Sequence, residues 1–325
     1  MKHLSARGLL RLILLLQALA ALGIGVAAIE AFGASRWQAF AAGLGSVLLV
    51  RMLINANNFF MSARYASATP AEYRLGMAAR LRMFGEEFAA SMLQSSWTMP
   101  RARPCTRIYP ESASAPVLLL HGYGCNSGYW ARLMPLLDAA QISHAAVDLE
   151  PLTGDIDAYA PLVERAVEAL RAATGAGKVV IVAHSMGGLV ARAWMRAYGT
   201  AKVARVITLG TPHHGTCLAA FGLGLNAAQM RRMVRGEPPE CPWLRALDGG
   251  EHAAARALVT SIFSHHDNII APQTSSELPG ARNLAFGGIG HVALGRNARV
   301  LDAVMREIAD ARAGQAATQR TRPMP

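Results

Sequence analysis

A serine held between small residues at the end of an apolar run is the part of this sequence best suited to chemistry. Residues 178–190 read KVVIVAHSMGGLV, a strand-like stretch that gives way to helical spacing within a few positions. A chain reversing that sharply places Ser185 at the apex of the turn in a strained conformation, its hydroxyl held clear of the backbone. Larger side chains at Ala183 or Gly187 would clash across the turn, and Gly188 lets the following helix, with Leu189, Val190 and Trp194 on one face, approach the strand. A hydroxyl in this setting is a nucleophile once a base takes its proton and a third group orients the base. The simpler reading of the same residues is a serine capping a helix.

Other segments carry groups that such a nucleophile needs. Residues 116–126, PVLLLHGYGCN, run from an apolar strand into a glycine-rich loop. Acyl transfer builds negative charge on the former carbonyl oxygen, and backbone N–H groups in a loop of this kind are suited to receive it; an ordinary strand-to-loop turn is the alternative. Residues 203–216, VARVITLGTPHHGT, bring His213 and His214 to the end of another strand. Adjacent histidines diverge on most backbones, and no Cys, Asp or Glu stands at ligand spacing, so they are expected to line the cleft floor rather than hold a metal. Residues 257–272 end a further apolar strand in a polar cluster containing Asp267, and Asp248, in a loop before two glycines, is its competitor as a functional acid. His291 lies in the glycine-rich stretch 287–294, where a solvent-exposed loop histidine is the other reading.

Taken in this order, the segments resemble those of the α/β-hydrolase superfamily, and within it bacterial triacylglycerol lipases and carboxylesterases. The departure is Ala183, where the usual Gly-x-Ser-x-Gly motif has glycine; some small bacterial lipases carry this Ala form. The resemblance extends over residues 100–312. It implies Ser185 as nucleophile, Asp267 as the acid that orients the base, His291 as general base, and the N–H groups of Tyr123 and Met186 as the oxyanion hole. The expected activity is cleavage of carboxylic esters through an acyl-enzyme, with an ester or lipid substrate and no metal or organic cofactor. A thioesterase, amidase or acyltransferase on the same triad is the alternative, because the acceptor that resolves the acyl-enzyme is not written in these motifs. A catalytically inactive membrane scaffold would predict a missing triad member, and none is missing.

The elements that must position these groups alternate. Strands are expected near 117–120, 143–149, 178–183, 203–209, 258–264 and 282–286, with helices near 128–138, 157–173, 186–198 and 297–311. This is an α/β pattern, a doubly wound, mostly parallel sheet whose strand ends carry the site. Residues 215–250 are too long for a simple connection and mix Leu218, Phe221, Leu223, Leu225, Met230, Met233 and Trp243 with glycines. They read either as a lid over an acyl groove or as a fixed cap. Cys217 and Cys241 flank this segment, and whether they pair is left open.

The first hundred residues have a different character. Leu12 to Ile29 contains one polar side chain, Gln17, and Trp37 to Ile54 is apolar except for Gln38, Ser46 and Arg51. A helical hairpin crossing a membrane is expected over 1–60, with Arg51 reaching toward an end of its span; a cleaved signal peptide fits the first stretch alone. Lys2, Arg7 and Arg11 precede the first stretch, Arg36 alone stands between the two, and Arg51, Arg64, Arg74, Arg80 and Arg82 follow. The positive-inside bias therefore places both ends in the cytoplasm of a bacterial inner membrane, whereas a single span would make the enzyme periplasmic or secreted. Residues 61–104 are expected to form an amphipathic linker through Leu75, Ala78, Ala79, Leu81, Arg82 and Phe84, 105–312 the catalytic domain, and 313–325 a disordered tail. The balance of 32 basic to 21 acidic residues, net +11, suits anionic headgroups. No basic-aromatic pattern for nucleic acid accompanies it.

Overall fold

The computed structural model describes residues 5–233 and 240–320. Its centre is a seven-stranded sheet of β1 (Cys105–Arg107), β2 (Val117–Leu120), β3 (His144–Val147), β4 (Val179–His184), β5 (Val203–Leu209), β6 (Val259–Ser264) and β7 (Arg282–Phe286), in the order β1-β3-β2-β4-β5-β6-β7. Every neighbouring pair is parallel except β1 against β3. β2 and β4 are buried along their whole length, as unbroken Val, Leu and Ile runs require of central parallel strands. One sheet face is covered by the helices Ala160–Thr174 and Met186–Tyr198, with Val163 and Trp194 against Leu118 and Ile181. The other receives the C-terminal helix Ala298–Arg320 and Trp130, which pack on Val180 and Val182. The strand order turns back between β2 and β4, so the crevice outside the carboxyl ends of these two strands is where an open sheet binds its ligand.

The departures from expectation are local. β1 has no apolar alternation and is largely exposed, which hid it in the sequence. The helix expected near 128–138 is a 3₁₀ segment, Ser127–Arg132, followed by a short α-helix, Met134–Ala139; Pro135 in its first turn lacks the N–H a continuous helix would need. The last helix runs to Arg320, past the boundary at residue 312, through a stretch rich in the helix formers Ala, Gln and Arg. Residues 321–325 of the expected tail, 234–239 of the expected lid, and Lys2 lie outside the described residues.

Ahead of the sheet stand α1 (Ala6–Phe32) and α2 (Arg36–Ala63), two helices long and apolar enough to cross a membrane. Gly33 in the left-handed region ends α1, and Ser35 with Gln38 forms a capping box that starts α2, so the pair turns back within a few residues. A Cβ on Gly25 would stand 3.2 Å from the Ala39 carbonyl oxygen, a close approach of backbones typical of helix pairs joined through small residues. Arg51 does not reach outward. Its guanidinium donates to Gln17 Oε1 on α1, at 3.0 and 2.5 Å, and to Ser95 and Ser96 at 3.2 and 2.7 Å. A cation in an apolar helix is stable only with partners, and here these partners tie both helices to the linker.

The base of the hairpin rests on the sheet domain and on the end of the linker: Ala6 N donates to Glu150, and Arg7 and Arg11 to the carbonyls of Ala102 and Pro100. The linker is helical as expected, α3 (Met77–Leu93), but it turns Met83, Glu87 and Ala90 inward. Leu81, placed on the packed stripe by its spacing, is exposed. The inward face joins two apolar residues to Glu87, which bonds the loop beneath α3.

Candidate active site

Ser185 sits at φ 53°, ψ −124°, between β4 and the helix Met186–Tyr198. Positive φ is costly for a residue with a Cβ, and it persists because the surroundings over-determine it. Ser185 N donates to Leu209 O on β5 at 2.8 Å, and Ser185 O accepts from Thr211 Oγ1 at 2.8 Å. A Cβ on Gly187 would come within 2.6 Å of the Leu120 and His121 carbonyl oxygens, and one on Gly122 within 2.8 Å of Ser185 Cβ. Glycine is required at both.

Asp267 follows β6 and His291 follows β7. The structure joins them: His291 Nδ1–H donates to Asp267 Oδ2 at 2.7 Å, and both are nearly fully buried. The other carboxylate oxygen of Asp267 accepts from Ile269 N and Ile270 N at 2.8 and 2.7 Å, fixing its plane. His291 is held from its backbone as well, its N–H donating to Asn268 Oδ1 at 2.9 Å and its carbonyl accepting from His184 Nε2 at 3.3 Å. The rings of His184 and His291 stand 4.6 Å apart, which brings His291 beside the residue preceding Ser185. Burial disfavours the imidazolium of His291, but Asp267, by charge and hydrogen bond, and then Glu87 outweigh it, so His291 titrates above its ordinary value of 6.5.

Glu87 was not legible as a site residue. Its carboxylate, fully buried, accepts from Val292 N at 3.0 Å and Ala293 N at 2.8 Å, the two amides immediately after His291. A Cβ on Gly290 would strike the Glu87 carboxyl carbon at 2.6 Å, so glycine in that loop makes room for the acid. Burial pushes the Glu87 carboxyl up, and the two amides and His291 pull it back part of the way. Nothing local in the sequence distinguishes Glu87 from its neighbour Glu86 as the buried acid.

Met186 directly follows the serine, and Tyr123 follows Gly122, which packs against Ser185 Cβ. Met186 opens a helix, where amide N–H groups have no intrahelical carbonyl to bond. Tyr123 borders the same cavity as Ser185, and its hydroxyl donates to Leu223 O at 2.8 Å and accepts from Leu223 N at 2.9 Å. The glycine-rich loop is thus clasped to the 215–250 segment. The cavity has a volume of about 570 Å³ and a mostly apolar lining that includes Leu218, Phe221, Met230 and Ile270.

One expectation is corrected. Neither His213 nor His214 borders this cavity. His213 is buried against Thr208 and Arg192, and burial followed by the charge of Arg192 holds it well below its ordinary value, neutral. His214 faces Glu240 and Asp248. Asp248, the competing acid, belongs to that second cluster: it pairs with Arg192 at 2.5 Å and Arg256 at 3.1 Å. Cys217 and Cys241 are free thiols, Cys241 Sγ donating to Gln229 O at 3.1 Å. Burial pushes the Cys125 thiol, in the loop after Tyr123, up to about 12, so it stays protonated. Among the described residues no three His, Cys, Asp or Glu side chains are gathered as a metal site.

Residues 115–239 match the family model described as alpha/beta hydrolase fold. A triacylglycerol lipase of Pseudarthrobacter phenanthrenivorans is 47% identical over 55 residues, 17% of this chain and 17% of that protein. Lipase B of Pseudozyma antarctica is 25% identical over 181 residues, 53% of this chain and 51% of that one. The chain therefore spans between about a sixth and a half of the length of these curated relatives. Among solved structures, the mature lipase BlEst2 of Bacillus licheniformis superposes with a TM-score of 0.54 at 18% identity, over 63% of this chain and 98% of that one, a likeness of fold.

Proposed function

On the premise of the α/β-hydrolase fold that this chain has, we propose that the protein is a membrane-attached serine hydrolase that cleaves carboxylic esters through an acyl-enzyme on Ser185. The observation that supports this reading is the buried Asp267–His291 pair, 2.7 Å between Oδ2 and Nδ1, whose imidazole packs on His184, the residue before a positive-φ serine that borders an apolar cavity. Relatives named triacylglycerol lipase and lipase B support esters as the substrate class.

In the reaction, Ser185 Oγ attacks the ester carbonyl carbon while His291 Nε2 takes its proton. Asp267 keeps the proton of His291 on Nδ1, leaving Nε2 free to accept, and stabilises the imidazolium. The negative charge on the former carbonyl oxygen is met by the N–H groups of Tyr123 and Met186. The tetrahedral intermediate collapses, the leaving alcohol takes the proton from His291, and the acyl group stays on Ser185. A water then gives its proton to His291 and attacks the acyl carbon, releasing the carboxylic acid and restoring the serine.

Residues 1–60 serve as the membrane anchor and 105–312 as the catalytic domain. The start of α1 meets the sheet domain at Glu150 and α2 meets it at Cys217–Phe221, so a hairpin crossing the bilayer twice leaves that domain on the side of the N-terminus. The arginines at that end favour the cytoplasm. The test is labelling of membrane and soluble fractions with a fluorescent fluorophosphonate. A membrane-bound wild-type band, lost in Ser185→Ala and His291→Ala, is expected; a folded wild-type protein that takes no label would overturn the reading. Ester, thioester and amide substrates offered to the labelled protein then rank the acyl donors.

A further inference from the structure

We infer that the acyl pocket is walled in part by the membrane helix α2, and that its substrate is a long-chain acyl ester drawn sideways from the leaflet that holds this helix. The inference rests on the esterase reading above and adds the source and form of the substrate.

Three residues of α2, Asn57, Asn58 and Met61, line the same cavity as Ser185. They come from an element outside the sheet domain and more than a hundred residues earlier in the chain. α2 also touches the segment Cys217–Phe221, which supplies Leu218 and Phe221 to the cavity. Leu53, Ile54 and Phe60 of α2 face outward, 57%, 58% and 62% exposed. Asn57 stands between them, three residues after Ile54, a rise of about 4.5 Å. The cavity therefore lies within about one helical turn of the end of the apolar span, the depth at which a lipid's ester groups sit when its chains are in the bilayer.

The rim agrees with that depth. Phe221 and Leu223, on the segment clasped by Tyr123, are 67% and 75% exposed. Large apolar side chains that face outward beside an apolar helix pair extend one surface, which a membrane covers. A water-soluble ester needs neither that rim nor a wall built from a 28-residue apolar helix. The two asparagine carboxamides are the polar contribution of the α2 wall, suited to hydrogen bonds with the neck of an amphiphile while its chain lies against Met61, Leu218 and Met230. The volume of about 570 Å³ is that of a ligand-sized pocket.

The experiment uses the full chain reconstituted in phosphatidylcholine–phosphatidylglycerol vesicles. A fluorophosphonate with a long alkyl chain ending in a diazirine is bound to Ser185, irradiated, and the protein digested with trypsin. Crosslinks on the peptide Met52–Arg64 are expected; crosslinks confined to other peptides would overturn the inference. In parallel, hydrolysis of a fluorogenic long-chain diacylglycerol in the vesicles is compared with that of p-nitrophenyl butyrate in water. Met61→Trp, which fills the wall, is expected to lower the long-to-short ratio at least tenfold. Phe60→Trp, at an exposed position of the same helix, keeps it. An unchanged ratio in a Met61→Trp protein that still takes the label, or a wild type active only on the soluble ester, overturns the inference and leaves the esterase reading standing. A wild type that neither labels nor hydrolyses either ester removes both.

Discussion

Two buried clusters at the strand ends combine carboxylates with histidine, and they differ in what the carboxylate meets. Asp267 faces an imidazole, and its second oxygen is occupied by two backbone amides. Asp248 and Glu251 face Arg192 and Arg256, with His213 packed behind them. A guanidinium cannot give up its proton at any ordinary pH, so the second cluster is fixed charge that holds the helix Met186–Tyr198 to the segment after residue 240. An imidazole exchanges its proton near neutrality, so the first is equipped for transfer. Asp267 is buried and Asp248 half-buried. The partner decides which acid is available for chemistry.

The sharpest way to break this contrast is to exchange the two acids' fates. Asp267→Asn is expected to lower kcat by roughly 10³–10⁴-fold with the fold intact, because the imidazole loses the partner that sets its tautomer; steady-state kinetics alongside circular dichroism reads it. A comparable loss from Asp248→Asn would abolish the distinction. Arg192→Met acts on the other cluster: it leaves Asp248 and the nearly fully buried Glu251 with Arg256 alone, and should cost about 3 kcal/mol of stability in denaturant unfolding while kcat of the folded fraction changes little.

The pH profile sharpens the contrast. The free enzyme needs neutral His291, so kcat/KM should rise with pH through a midpoint above 6.5, and Asp267→Asn should move that midpoint down. Glu87→Gln keeps one acceptor for the loop amides and removes a charge. A fall in kcat of about tenfold is expected, with the acid limb moving to lower pH, a displacement that a purely structural role would not produce. The smallest effect belongs to Asp248→Asn, whose site retains Glu251 for both arginines. Its kcat and pH midpoint should stay at wild-type values, with a slight loss of thermal stability.

Much of the sheet was legible. β2 and β5 begin and end where their apolar runs do, because a parallel strand in the middle of a sheet has a near-continuous apolar signature. That Asp267 follows β6 and His291 follows β7 was readable, while their pairing is a tertiary contact. β1 was not, since an edge strand of Cys, Thr and Arg has no pattern to show. The histidine pair 213–214 was misplaced because a strand end locates a residue but not the side on which its ring packs. In α3 the apolar spacing indicated the helix, yet the buried face also carries a carboxylate.

What the sequence by itself determined are features with a local cause: the strained turn at Ser185, the strand order that carries the acid and the histidine, and the two apolar helices. Each follows from side chains a few positions apart acting on one stretch of backbone. Only the tertiary structure decided that Glu87 supports the loop of His291 from 205 residues away, that Arg51 turns inward to Gln17, and that Asn57, Asn58 and Met61 line the cavity at Ser185. These depend on where distant segments meet, and no periodicity along the chain records which surfaces the closing of the fold brings together.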